Sequence, residues 1–142
     1  MSQTDSDLQD LGARKAPGLD EIEALARRVY ASLPSRFTRL CEGLVIRVED
    51  FPEDEILEEM ECETEFDLLG FFRGQGLTQG EHLAQTGAEP NMIWLYRRPL
   101  LDYWADGEDT LGEVVAHVLI HEIGHHFGLS DDDMEQIEEA AV

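Results

Sequence analysis

The strongest chemical signal in the sequence is a pair of histidines, His121 and His125, in the segment HEIGHHFGLSD. Residues four apart on an α-helix share one face, so both imidazoles can reach one metal ion about 2 Å from each nitrogen. Glu122 follows the first histidine and projects about 100° around the helix axis. In a His-Glu-x-x-His helix this glutamate is a general base beside the metal and not a ligand. The segment therefore predicts zinc ligation by His121 and His125, with Glu122 as the catalytic base.

A third ligand has to come from beyond this helical face, and Gly128 provides the route. Glycine accepts the left-handed conformation that ends a helix and turns the chain back. Asp131 lies ten residues after His121 and completes the spacing H-E-x-x-H-x-x-G-x-x-D. We predict Asp131 as the third ligand, with the fourth position open to water as in catalytic zinc sites. An aspartate here is also a good helix N-cap, and Asp132 or Asp133 could reach the metal instead.

Three further histidines receive weaker assignments. His117 lies on the same stripe, but it is about 12 Å along the helix axis from His125, so one ion cannot bind both of them together with His121. We expect His117 to be buried or to support a ligand from behind. His126 points away from His125 and is expected to pack or to lie at the surface, and His82 is a remote ligand candidate in a loop.

The helix that must carry these residues has clear local signals. Thr110 and Glu113 form the T-x-x-E pattern of a capping box, apolar residues follow, and Gly128 marks the end. A second helix is expected to begin with Ser130 or Asp131 as its cap.

The remaining elements are predicted upstream. Residues 1–18 lack periodicity and indicate a flexible tail, and an amphipathic helix follows and ends near Pro34. Strands are expected in GLVIRVEDF, in LLGFFRG and in NMIWLYRR, which Pro99 closes or confines to a sheet edge. Residues 52–67 indicate a solvated acidic helix or loop, and the segment from Gly74 to Pro90 indicates a loop.

Composition restricts the possible partners. Acidic residues outnumber basic ones 32 to 10, for a formal net charge of -22. Such a charge repels phosphate backbones and anionic lipid headgroups, so neither nucleic acid nor a membrane is an expected partner. No signal-peptide pattern or long apolar run is present, and we expect a cytoplasmic protein. Cys41 and Cys62 lack metal-binding spacing and are assigned no chemistry.

The segment HEIGHHFGLSDDDM, together with IWLYRRPL upstream, resembles the small zincin-like metallopeptidases of bacteria. The resemblance covers residues 20–138, with its diagnostic part in 91–134. It implies an α+β fold in which residues 19–142 form one minimal zincin-like domain, a small sheet packed against helices with the zinc-binding helix near the C-terminus. It also implies one Zn²⁺ per chain. Larger metzincins place a methionine turn beneath the metal, but Met134 follows Asp131 too closely for that and is expected to pack in the core.

These features together predict a zinc-dependent peptidase acting on a peptide or protein substrate. The substrate is expected to add as a strand along a sheet edge, for which NMIWLYRR is the candidate, and the loop from Gly74 to Pro90 would build the specificity pockets. Tyr96, Tyr103 or an arginine of YRRP could stabilise the oxyanion. One alternative is a zinc-binding module for peptide recognition or structure with little turnover. Another is an acidic interaction protein whose motif binds no metal.

Overall fold

The computed structural model describes residues 3–74 and 90–141. Within these ranges three strands form one sheet, β1 (Val45–Glu49), β2 (Gly70–Arg73) and β3 (Met92–Tyr96), and a 3-10 turn covers Arg39–Cys41. The helices are α1 (Gln3–Ala13), α2 (Leu19–Ser32), α3 (Ser35–Thr38), α4 (Asp54–Glu59), α5 (Arg97–Asp106), α6 (Leu111–His126) and α7 (Asp131–Ala141). A small mixed sheet packed with helices confirms the predicted α+β class.

The sheet has the order β1-β3-β2, with β3 parallel to β1 and antiparallel to β2. Ile93 of β3 pairs with Ile46 on one side and Phe72 on the other. The prediction that NMIWLYRR is an edge strand is therefore wrong, because β3 is central. The edge prediction rested on Pro99, but Pro99 lies in the first turn of α5, where a missing backbone N–H breaks no helical hydrogen bond. The proline belongs to the helix and places no constraint on the strand.

The core is built around α6, which packs against α2, β2, α5 and α7. Because α6 has neighbours on several sides, its apolar residues are buried beyond a single stripe. The buried residues of α6 are Val114, Val115, Ala116, Val118, Leu119, Ile120, Ile123 and Gly124. Met134 and Ile137 of α7 pack against them, and Met134 is fully buried, which confirms its predicted packing role.

The N-terminal region differs from the sequence prediction in its secondary structure. Residues 3–13 form α1, although the sequence shows no apolar periodicity there. Leu8 and Leu11 of this helix are exposed, so apolar burial does not stabilise it. After α1, Arg97 holds the chain next to the sheet, since its Nε donates to the Pro17 carbonyl oxygen at 2.6 Å and its Nη1 to Asp50 at 3.1 Å.

None of the helices in the described ranges combines the length and the apolar character needed to cross a bilayer.

Candidate metal centre

Helix α6 is a rigid platform for the histidines. The Glu113 N–H donates to Thr110 Oγ1 at 3.1 Å and the Thr110 N–H donates to Glu113 Oε1 at 2.8 Å, which confirms the capping box. One helical turn separates His121 from His125, and their ring centroids are 5.8 Å apart. His121 is partly buried, whereas His125 is exposed. Both imidazoles therefore belong to the open side of a helix whose other sides are fixed by the core.

The turn between α6 and α7 brings Asp131 back toward this helix. Gly128 adopts a left-handed conformation with φ of 77°, as predicted. The N-cap of α7 is Ser130, whose Oγ accepts a hydrogen bond from the Asp133 N–H at 3.1 Å. The capping role that competed for Asp131 is thus performed by its neighbour. The Asp131 carboxylate lies exposed at the start of α7 and is free for another function.

Asp131 and His121 line the same surface cleft, of about 500 Å³, which we call the acidic cleft. Its other lining residues are Asp109, Glu113, His117, Glu135, Glu138 and Glu139. His125 is not among them, and neither is Asp132 or Asp133. The structure therefore brings two of the three predicted ligands into one cleft, while His125, one helical turn after His121, is not among its lining residues.

Glu122 follows His121 in the sequence of α6 and is partly buried. Burial raises the pKa of its carboxyl to about 7. Tyr96 of β3 is buried, and its pKa is raised by that burial and then by the carboxylates of Glu49, Glu53 and Glu122. The phenol of Tyr96 therefore lies within electrostatic reach of Glu122.

The other residues considered for oxyanion binding face elsewhere. Tyr103 is half exposed on α5 and lines a separate pocket with Trp104 and Asp106. Arg97 is engaged by Pro17 and Asp50, and the Arg98 guanidinium lies 5.5 Å from the centroid of a phenylalanine ring, that of Phe51. Of the predicted candidates, Tyr96 is the one that the structure connects to Glu122.

Of the two placements expected for His117, burial is wrong, because its side chain is about half exposed. Its ring stacks on that of the predicted ligand His121, with centroids 4.0 Å apart. A residue that the sequence analysis missed, Glu138, accounts for this arrangement. Glu138 Oε2 lies 2.9 Å from His117 Nδ1, and Oε1 lies 3.0 Å from His121 Nε2.

The position of Glu138 follows from helical geometry. It comes seven residues after Asp131, so both carboxylates share one face of α7 two turns apart. This spacing places Glu138 among the candidates, but Glu135, four residues after Asp131, satisfies it equally, so the spacing does not single out Glu138. Burial raises the pKa of the Glu138 carboxyl, but the hydrogen bonds and charges of His117 and His121 outweigh burial, so the net pKa is lowered.

The remaining histidines are separate from the site. His126 packs against Phe72 with ring centroids 4.6 Å apart and is partly buried, which confirms its predicted packing role. Burial lowers its pKa. His82 lies outside the described residues.

The donor chemistry of His121, His125 and Asp131 fits a zinc ion. Two imidazoles and one carboxylate are the ligand set of several catalytic zinc enzymes. Among the described residues, however, the three whose donor atoms all lie within 4.8 Å of one another are His117, His121 and Glu138. The predicted ligands thus have donor atoms suited to zinc, but the donor atoms that lie close together belong to His117, His121 and Glu138.

An α+β domain with a His-Glu-x-x-His helix at the centre of its core defines the zincin class. The sequence profile of the zincin-like metallopeptidase family matches residues 41–141, more than two thirds of the chain, and the chain belongs to that family. The match includes the whole sheet, α6 and α7, and it begins after α2 and α3. A comparison with curated proteins finds no match. Membership confirms the resemblance and implies a metal, typically zinc.

Proposed function

We propose that this protein is a zinc-dependent peptidase in which His121, His125 and Asp131 hold the metal and Glu122 is the general base. We call these three ligands the motif site. The observation that carries the proposal is the capping of α7 by Ser130, which leaves the Asp131 carboxylate free in the cleft that His121 lines. Together with the neighbouring His125, this supplies the nitrogen and oxygen donors that a catalytic zinc site needs.

Zinc supplies Lewis acidity, because it polarises a carbonyl group and lowers the pKa of a water molecule toward neutrality. The chain supplies the proton transfers. Glu122 projects from the same helix as both histidines, so its carboxylate can accept a proton from the attacking water and return it to the leaving amine. The packing of α6 in the core fixes the position of this base relative to the ligands.

Because β3 is central, the edges of the sheet are β1 and β2, and β2 is our candidate for substrate binding because it packs against α6. β2 pairs with β3 on one side, and no other strand in the described ranges pairs with its second side. Phe72 of β2 contacts the His126 ring, next to His125. An extended peptide added to this edge would therefore run past the end of α6 that carries the motif. The predicted specificity pockets in the loop after Gly74 lie largely outside the described residues.

The test of catalysis is Glu122→Gln, assayed on a mixture of fluorogenic peptides with and without a zinc chelator. A general base contributes roughly 10²- to 10⁴-fold, so hydrolysis should fall by at least about 100-fold while zinc stays bound. Glu135→Gln is the matched control, because it removes one exposed carboxylate from the acidic cleft without touching the motif site.

Two outcomes would contradict the proposal. Equal hydrolysis by wild type and Glu122→Gln would identify a contaminating protease. Bound zinc with no hydrolysis in either form would favour the zinc-binding recognition or structural module over the peptidase.

A further inference from the structure

Glu138 joins two histidines through separate oxygens, and this arrangement lies outside the H-E-x-x-H-x-x-G-x-x-D motif. Its distances are 2.9 Å to His117 Nδ1 and 3.0 Å to His121 Nε2. The carboxylate comes from α7 and both imidazoles from α6, so the cluster spans the interface between two helices. Imidazole nitrogens and carboxylate oxygens meet there, and both are common metal ligands in proteins.

The spacing of these atoms suits an ion. Ligands about 2.0–2.1 Å from zinc in a tetrahedral arrangement lie about 3.3 Å from one another. The hydrogen-bonded distances in the cluster are shorter than that by only a few tenths of an ångström, and all three donor atoms lie within 4.8 Å of one another. Insertion of an ion therefore requires only small side-chain rotations. Two nitrogens and one carboxylate are donors that favour zinc over Mg²⁺ and Ca²⁺.

The surroundings favour a cation. The acidic cleft is lined by five carboxylates in addition to Glu138, and no lysine or arginine is among its described lining residues. A concave surface with charge of a single sign raises the local concentration of cations. The His117 side chain is 48% exposed, so an ion can enter from solvent without any movement of the core.

We propose that His117, His121 and Glu138 form a second zinc site, an alternative to the motif site. A neutral imidazole offers one acceptor nitrogen, so His121 can ligate only one ion at a time. The two sites share His121 and therefore exclude each other, and the chain binds one zinc in total at either position. His117 lies about two helical turns from His125, so an ion held by His117, His121 and Glu138 does not complete the motif site. The proposal requires no peptidase activity.

The experiment measures zinc affinity of the full chain by competition with a chromophoric chelator, with the visible spectrum of bound Co²⁺ as a second readout. The double variant His125→Ala/Asp131→Asn removes the motif site alone. It should still bind one zinc per chain. Adding Glu138→Gln to this background should weaken binding by more than about 100-fold, because Glu138 is a ligand there and loss of a residue that only supports a ligand already costs up to about 100-fold.

The matched control adds Glu139→Gln to the same double variant. Glu139 lines the acidic cleft beside Glu138 but lies outside the cluster, so its loss should weaken binding by less than about 5-fold, the size of an exposed charge interaction. Circular dichroism checks that each variant is folded, and glutamine at position 138 preserves the side-chain shape.

Absence of zinc from folded His125→Ala/Asp131→Asn would overturn the proposal. Equal weakening by Glu138→Gln and Glu139→Gln would also overturn it, because it would show general attraction by charge. The converse variant His117→Ala/Glu138→Gln tests the motif site separately. If this variant alone loses zinc, the second site stands and the motif site fails, so the two proposals can fail independently.

Discussion

Replacing Glu122 with glutamine should change how the stability of the metal-free protein depends on pH. Burial raises the pKa of this carboxyl from 4.5 to about 7, so the folded protein resists its ionisation. The contribution of the neutral Glu122 carboxyl to folding stability is complete below pH 4.5, and it is lost as the pH rises to 7 and beyond. One pKa unit corresponds to about 1.4 kcal/mol, so the complete loss is about 3 kcal/mol.

Glutamine resembles the protonated carboxyl and cannot ionise. We therefore expect Glu122→Gln and wild type to have similar free energies of unfolding at pH 4.5, and the variant to be more stable by about 3 kcal/mol at pH 8. Urea unfolding in the presence of a chelator, followed by circular dichroism at several pH values, measures this difference. The contributions of the other acidic residues, including those that face Tyr96, cancel between the two proteins to first order.

Glu138→Gln serves as a control of opposite sign. The pKa of Glu138 is lowered in the folded state, so its carboxylate contributes stability above its unfolded pKa that is lost on acidification. This variant should be less stable than wild type near neutral pH. A constant difference between Glu122→Gln and wild type across the range, or a growing advantage for wild type as pH rises, would refute the assignment of Glu122 as a buried, high-pKa carboxyl.

Two further predictions concern the helices that carry the site. A Cβ on Gly124 would lie 2.5 Å from Met134 Sδ, so overpacking in Gly124→Ala should lower the free energy of unfolding by about 1–3 kcal/mol. The higher helix propensity of alanine offsets up to about 1 kcal/mol of this loss. Thermal unfolding measures the net change, and a stabilised variant would contradict the close approach. Thr110→Ala should destabilise the start of α6 by about 1 kcal/mol, seen as faster hydrogen exchange there. Thr110→Ser keeps the hydroxyl and should retain most of the stability, and an equal loss in both variants would exclude the cap as the cause.

The parts of the site that the sequence predicts are those encoded by neighbouring residues. The capping box at Thr110, the left-handed turn at Gly128 and the spacing of His121 and His125 are all local, and the first two are confirmed. The central position of β3 depends on pairing with distant segments, so a proline within a helix could be mistaken for a strand terminator.

Glu138 was missed for a related reason. It belongs to a helix in which Asp131, Glu135, Glu138 and Glu139 are chemically alike, and only the packing of α7 on α6 selects which carboxylate meets His117 and His121. That packing depends on a glycine facing a methionine across the helix interface, a contact that no short stretch of sequence reveals.

Helices α6 and α7, which carry the proposed metal ligands, differ in how much of their surface is buried, and this difference would affect the rate of metal exchange. α6 is surrounded by core, whereas α7 is the last described element and is buried mainly through Met134 and Ile137. Segments with few buried contacts open locally far more often than the whole domain unfolds. Opening of α7 would withdraw Asp131 and Glu138 together while both histidines stay in place. Local opening of α7 should therefore provide a route of zinc release, besides direct exchange through the open cleft, that is much faster than global unfolding.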